Sequence, residues 1–355
     1  MNVFDEMQKY GHEELVFWYD QATGLKAIVG IHDTTLGPAL GGCRMWPYET
    51  EDEAITDVLR LSRGMTYKNA AMGLDLGGGK SVIWADSRED KHEALLRAFG
   101  RLIQSLGGRY ITAEDVGITA DDMAMVARET RFVGGLKETS GDPSPATALG
   151  VLEGMKAAAD MVWGTPDLVQ KHVAIQGIGH VGMILAHMVK EEGARLTVTD
   201  IHPEESRAAI EALGATWVQP EEIYAVDADI FAPCALGAIL NDETIPQLKV
   251  RVVAGSANNQ LREPRHGLEL MRRNIVYVPD YVINGGGVVN VADELHPDGY
   301  HNERAYSRVR LIGRQATEIL HRSTTEGISS QEAADQLAES RINILGQVKR
   351  TYLPR

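Results

Sequence analysis

The stretch "HVAIQGIGHVG", residues 172 to 182, constrains the fold of this chain more than any other. A β-rich apolar run leads straight into Gly177-Ile178-Gly179-His180-Val181-Gly182, a G-x-G-x-x-G at a strand-to-helix turn. Gly177 permits the tight turn, Gly179 lets backbone N–H groups approach a pyrophosphate, and Gly182 lets helix and strand pack closely. The next strand, "LTVTD", ends on Asp200, 23 residues after Gly177. A carboxylate there can accept hydrogen bonds from ribose hydroxyls and repels a 2′-phosphate, so the expected cofactor is NAD rather than NADP. The plainer alternative is that the glycines only allow close packing and Asp200 caps a turn.

Further β-rich runs, "ADIFAP", "RVVAGS" and "NIVYVP", follow with helical or loop segments between them, a doubly wound parallel pattern. Upstream, "LKAIVGI", "SVIWAD" and "GRYIT" alternate with amphipathic helices around "DEAITDVLRLSRGM" and "HEALLRAFGRLIQSL", a second α/β unit. Between the two lies "VGGLKETSGDPSPA", where Ser144 can cap a helix that begins with Pro145. The expected domains are residues 1–140, an N-terminal α/β unit, and 141–329, a Rossmann-type unit, with a C-terminal helix over about 330–355 returning to the first.

"GLDLGGGKS" mimics a phosphate-binding loop, but the place five before Gly79 holds Leu74, and Ser81 runs into the β-branched "VIWAD" instead of a helix. Lys80 is therefore expected on a turn entering a strand, with three glycines that would let a substrate approach. Lys68 in "GMTYKNAA" and Asp115 in "TAEDVG" also lie in apolar or glycine-rich surroundings. A buried cation needs an anion, and Lys68 could meet a substrate carboxylate or merely Asp115. Burial and a neighbouring cation both favour a lysine's neutral amine, the form that acts as a base.

With 35 basic against 50 acidic residues, the net charge of −15 disfavours nucleic acid and anionic membranes as partners. No run of eighteen apolar residues occurs, so no membrane span is expected. The acidic start lacks the features of a secretory signal, and Cys43 and Cys234 form no C-x-x-C pair, which fits a reducing cytoplasm. The loop "DELHPDGYH" gathers Asp293, Glu294, His296, Asp298 and His301, but without the spacing of a zinc motif, and no metal is expected.

The stretches "GLKAIVGIHDTTLGPALGGCRMWPY", "GMTYKNAA", "GRYITAEDVG", "IFAPCALGA", "AGSANNQL" and "PDYVINGGGVVNVADEL" resemble the glutamate, leucine, phenylalanine and valine dehydrogenase family, most of all its leucine branch. The resemblance spans essentially the whole chain. It implies reversible oxidative deamination of an L-amino acid with NAD in a cleft between a substrate domain and a dinucleotide domain, and a homo-oligomer, often an octamer. It makes Lys68 the partner of the substrate carboxylate, Lys80 the base that activates water, and Asp115 the proton shuttle. It places Thr147 and Asn284 near the nicotinamide, Asn259 near the substrate amine, and Leu40, Gly41, Met65, Ala113, Val288 and Val291 around the substrate side chain.

The side-chain-lining residues are apolar, which argues against glutamate and for leucine, valine or isoleucine. The chain departs from the leucine branch at Gly79 and Gly285, where alanine is usual, and in a shorter "ETSGDPSP" segment. Valine and phenylalanine dehydrogenases of the same family remain alternatives. A catalytically inactive dinucleotide sensor would discard the lysines, and a hydroxy-acid dehydrogenase would usually use a histidine in their place.

Overall fold

A computed structural model describes residues 1–202 and 210–348. The chain divides into two compact units. One comprises residues 1–142, 291–301 and 338–355; the other comprises 143–290 and 302–337.

The first unit is built on a five-stranded mixed sheet with order β1-β2-β4-β3-β5. Its strands are β1 (Glu14–Asp20), β2 (Leu25–Asp33), β3 (Ala39–Trp46), β4 (Gly77–Trp84) and β5 (Tyr110–Ala113). β4 runs antiparallel to β2 and parallel to β3, at the centre of the sheet. Sequence reading missed β1 and β3. β1 is a half-exposed edge strand without regular alternation, and β3 carries two adjacent glycines that weaken a strand signal.

Side chains two apart on a strand share a face, and here the two faces take different helices. Ile28 and Val82 pack with Ala54, Ile55, Val58 and Leu59 of α2 (Glu51–Ala71). Val29, Ile31 and Ile83 pack with Leu95, Leu96, Phe99, Leu102 and Ile103 of α3 (Glu93–Ser105) on the opposite side. The α2 face is lined with glycine. A Cβ on Gly30 would stand 3.1 Å from Ser62 Oγ, one on Gly41 3.1 Å from Met65 Cγ, and one on Gly78 2.1 Å from the Thr66 nitrogen. The helix backbone thus lies directly on the sheet, closer than any side chain at Gly78 would allow.

The second unit carries a six-stranded parallel sheet, order β11-β10-β9-β6-β7-β8. The strands are β6 (His172–Gln176), β7 (Arg195–Thr199), β8 (Thr216–Trp217), β9 (Ile230–Pro233), β10 (Val252–Val253) and β11 (Val276–Tyr277). Counted from β6, this is the 3-2-1-4-5-6 order of the dinucleotide-binding fold, with the switch point between β6 and β9. The parallel, doubly wound expectation holds, and only the two-residue β8 was missed. One face of the sheet packs against α5 (Ser144–Trp163), α6 (His180–Glu191) and the helix Asn302–Glu326.

The start of α5 differs slightly from expectation. Pro143 is the cap, its carbonyl accepting the Thr147 N–H at 2.9 Å, while Ser144 and Pro145 are already helical. At the chain's far end, Ala338, Ile342 and Leu345 pack against Leu36, Tyr67 and Ala70 of the first unit, and Arg341 donates to the Leu74 carbonyl at 2.7 Å. Among the described residues no helix is long and apolar enough to cross a membrane.

Candidate active site

Lys80 does not sit on a turn. It lies mid-strand in β4, paired with Gly30 of β2 and only 5% exposed. Gly78 points at α2, so Lys80, two residues on, projects from the same face. The three preceding glycines are filled by protein: a Cβ would lie 2.0 Å from the Asp33 carbonyl oxygen at Gly77, 2.1 Å from Thr66 N at Gly78 and 2.6 Å from the Tyr110 ring at Gly79. Their work is close packing around the lysine rather than access for a substrate. The period-2 pattern that reveals strands cannot register such a run.

Lys80 Nζ stands 3.1 Å from Asp115 Oδ2. Asp115 follows β5 in a tight turn, where its carbonyl accepts the Ile118 N–H at 2.9 Å and Gly117 takes a left-handed φ of +79°. Gly42 makes room for it, since a Cβ there would lie 2.9 Å from the Asp115 Cβ. Arg44 Nε approaches the same carboxylate oxygen at 3.1 Å, and its Nη1 reaches Asp57 Oδ2 on α2 at 2.9 Å. Tyr48 donates to Asp57 at 2.6 Å and completes the chain of charges. Burial opposes ionisation of Asp115, but the Lys80 ammonium and Arg44 guanidinium outweigh it and hold the carboxyl below its ordinary range. Sequence reading missed Arg44, Asp57 and Tyr48. They lie in stretches unremarkable in spacing, and only the sheet brings β3 beside the turn that follows β5.

The remaining first-unit positions lie on the same framework. Lys68 is on α2, two residues beyond the Thr66 that rests on Gly78, with Met65 against Gly41. Leu40 is buried on β3, and Ala113 ends β5. Val291 is buried, and a Cβ on Gly134 would lie 2.8 Å from its Cγ1.

In the second unit, Gly177 has a φ of +94°, and Gly182 packs so closely that a Cβ would lie 2.0 Å from the Gly177 oxygen. Gly179 differs, because a Cβ on it would meet nothing within 4 Å. His180 and Val181 open α6. Asp200 accepts hydrogen bonds from Ile178 N at 2.7 Å and His202 N at 2.9 Å, so it holds the turn as the plainer alternative foresaw. A carboxylate has about four acceptor positions, which leaves two for ribose hydroxyls.

Thr147 donates to the Pro143 carbonyl at 2.9 Å. Asn259 is exposed with a left-handed φ of +52°. Asn284 donates to Ser256 O and Asn258 Oδ1, leaving its own buried Oδ1 without a partner. Val288 lies on the helix Gly286–Ala292. An open glycine turn at a helix start, a carboxylate just after the next strand and an unpaired amide oxygen fit a dinucleotide.

In "DELHPDGYH" the polar groups serve the backbone. Asp293 accepts from His301 N at 2.7 Å, and His296 Nδ1 accepts from Asp298 N at 3.2 Å. Among the described residues no group of three His, Cys, Asp or Glu side chains could hold a metal ion.

Comparison with known proteins agrees with this geometry. Residues 12–132 match the family model for the Glu/Leu/Phe/Val dehydrogenase dimerisation domain, and residues 201–345 match that for glutamate/leucine/phenylalanine/valine dehydrogenase. The leucine dehydrogenase of Bacillus cereus is 56% identical, over 99% of this chain and 97% of that one. The phenylalanine dehydrogenase of Caldalkalibacillus thermarum is 46% identical over 99% of this chain and 96% of that one. The crystal structure of L-tryptophan dehydrogenase from Nostoc punctiforme superposes with a TM-score of 0.85 at 44% identity, covering 97% of this chain and 99% of that one. The chain belongs to the Glu/Leu/Phe/Val amino-acid dehydrogenase family.

Proposed function

We propose that the chain catalyses reversible NAD-dependent oxidative deamination of branched-chain L-amino acids, leucine before valine and isoleucine, to the 2-oxo acid and ammonia. The observation that carries this reading is the buried Lys80 held 3.1 Å from Asp115 at the centre of the first unit's sheet. Leucine dehydrogenases 54–56% identical over nearly the whole chain support the choice of substrate.

The glycine turn 177–182, Asp200, Thr147 and Asn284 hold NAD, which when bound accepts the substrate's α-hydrogen as hydride. Lys68 binds the substrate carboxylate, and Asn259 orients the amine. Lys80, as the neutral amine, takes a proton from the water that attacks the imine. Asp115, 3.1 Å from Lys80 Nζ, takes that proton on and returns one to the departing amine. Such acid–base groups typically contribute about 10² to 10⁴ each in rate. The residues that the family resemblance assigns to the substrate side chain, Leu40, Met65, Ala113, Val288 and Val291, are all apolar, so a charged side chain would find no partner among them.

Oligomer formation is supported by the dimerisation-domain match and by the edge strand β1, which exposes Phe17, Trp18 and Tyr19. We assign a homo-oligomer, an octamer, working in the cytoplasm, where the free thiols of Cys43 and Cys234 stay reduced.

An initial-rate panel of L-amino acids with NAD and NADP at alkaline pH tests the reading. NADH absorbance should grow with L-leucine, L-valine and L-isoleucine, far less with NADP, and not with L-glutamate or 2-hydroxyisocaproate. No turnover of any branched-chain amino acid would refute it.

A further inference from the structure

The segment "VGGLKETSGDPSPA", which from sequence is a Gly-, Ser- and Pro-rich break between the two α/β units, is fastened to the first unit at several points. Its beginning runs along the end of β5: Thr112 N donates to Phe132 O at 3.0 Å, and Gly134 N donates to Thr112 O at 2.8 Å. Gly134 and Gly135 therefore lie beside Ala113. A Cβ on Gly135 would be 3.9 Å from Ala113 Cβ and 3.9 Å from Val291 Cγ2, so its backbone stands at the wall those two residues form. Gly135 has a left-handed φ of +78°, a conformation that disfavours a side chain. Gly134 has no such constraint, and only Val291 would have to yield to an added methyl.

Glu294 grips this segment from the other side. It lies three residues after Val291, close to one helical turn. One carboxylate oxygen accepts from Gly135 N at 3.1 Å; the other accepts from Thr139 Oγ1 at 2.6 Å and Ser140 N at 3.0 Å. A single half-buried carboxylate thus holds both ends of the 135–140 loop to the stretch that carries Val291. Hydrogen bonds to an ionised carboxylate are stronger and more directional than neutral ones.

We propose that Glu294 is a positioning residue for substrate selectivity, its carboxylate fixing how far the Gly134–Gly135 backbone stands from Val291 and so how wide the pocket is beside Ala113. Gly134 is the complementary determinant, because its missing side chain lets Val291 sit back. The inference rests on the deamination reading above. It assigns a role in selectivity to a carboxylate that the sequence offers only as one of a polar cluster without the spacing of a zinc motif.

The test compares kcat/KM for L-valine, L-leucine and L-phenylalanine in the wild type and in Glu294→Ala, Glu294→Gln and Gly134→Ala, with NADH affinity measured alongside by fluorescence. Glu294→Ala frees the loop and should raise the phenylalanine-to-leucine ratio about tenfold, the scale set by small changes in pocket size. Glu294→Gln should move it the same way by less, since its amide turns an NH₂ toward N–H donors. Gly134→Ala presses Val291 inward and should move selectivity oppositely, toward valine, by a similar factor. NADH affinity should stay unchanged in all three.

A merely structural role would lower all three substrates by one factor; unchanged ratios, or Gly134→Ala and Glu294→Ala moving them the same way, would overturn the inference. Should Glu294→Ala fail to fold, Glu294→Gln and Gly134→Ala carry the comparison by the same criteria. A wild type inactive on all three amino acids would instead overturn the deamination reading itself.

Discussion

Two glycine-rich stretches of this molecule look alike on paper and do opposite things. In Gly77-Gly78-Gly79 the missing side chains are replaced by protein, with backbone or ring atoms 2.0 to 2.6 Å from where each Cβ would be. In Gly177-Ile178-Gly179 the first glycine supplies a left-handed turn, and the second faces open space at a helix start. The first stretch buries a lysine by bringing a helix onto a sheet; the second leaves backbone N–H groups accessible to an anion. A glycine run reports that something comes close to the backbone, and only the fold says whether it is the protein itself or a ligand.

The sharpest way to break this contrast is a matched pair of alanines. Gly78→Ala drives a methyl into the Thr66 backbone and should destabilise the chain by about 1–3 kcal/mol or more, read from urea denaturation. Gly179→Ala, at an extended φ of −73° with open surroundings, should leave that midpoint unchanged while weakening NADH binding about tenfold. Equal effects on stability would erase the distinction.

Next in size, Asp200→Ala should weaken NAD and relax discrimination against NADP by about tenfold in relative kcat/KM. Because Asp200 also bonds the turn nitrogen of Ile178, some loss of thermal stability should accompany it. An unaltered cofactor ratio would reject the ribose role.

Much of the second unit was legible in the sequence because buried parallel strands read as continuous apolar runs, and its fingerprint joins strand, turn and helix within eleven residues, 172 to 182. The first unit was legible only in part, three of its five strands and its two long helices. Lys80 is a strand residue preceded by three glycines, and its surroundings come from Arg44, Asp57 and Asp115, brought together by sheet order rather than by spacing. The same holds for Glu294, whose partners Gly135 and Thr139 are 159 and 155 residues away. Family resemblance pointed to Lys80 and Asp115, whereas nothing local in the chain pointed to the groups that hold them.

Two smaller pH effects probe the crowded region. Arg44→Met removes one of the cations that lower the Asp115 pKa, so that carboxyl should protonate at higher pH, and the acid limb of kcat should move to higher pH. Lys80, Asp57, Tyr48 and the neighbouring Glu114 stay in place as the remaining local charges. An unmoved limb would deny Arg44 any hold on Asp115.

The second concerns His12 and His32, which pack edge to face with ring centroids 4.7 Å apart behind α2. His32 bonds the same Thr66 that rests on Gly78. Burial lowers both pKa values, His12 to about 4. Between the unfolded value near 6.5 and about 4 the unfolded chain binds more protons, so stability present at neutral pH is lost as pH falls through that window. Melting temperature against pH should show this slope, and His12→Gln should flatten it; an equal slope in the variant would remove His12 from the account.

The buried amine in β4 can be tested most directly by following NADH formation from L-leucine with wild-type and Lys80→Ala protein while measuring NADH affinity of both. Turnover should fall by about 10² to 10⁴ with cofactor affinity retained. A variant that binds NADH normally and still oxidises leucine at the wild-type rate would show that the chemistry does not pass through Lys80.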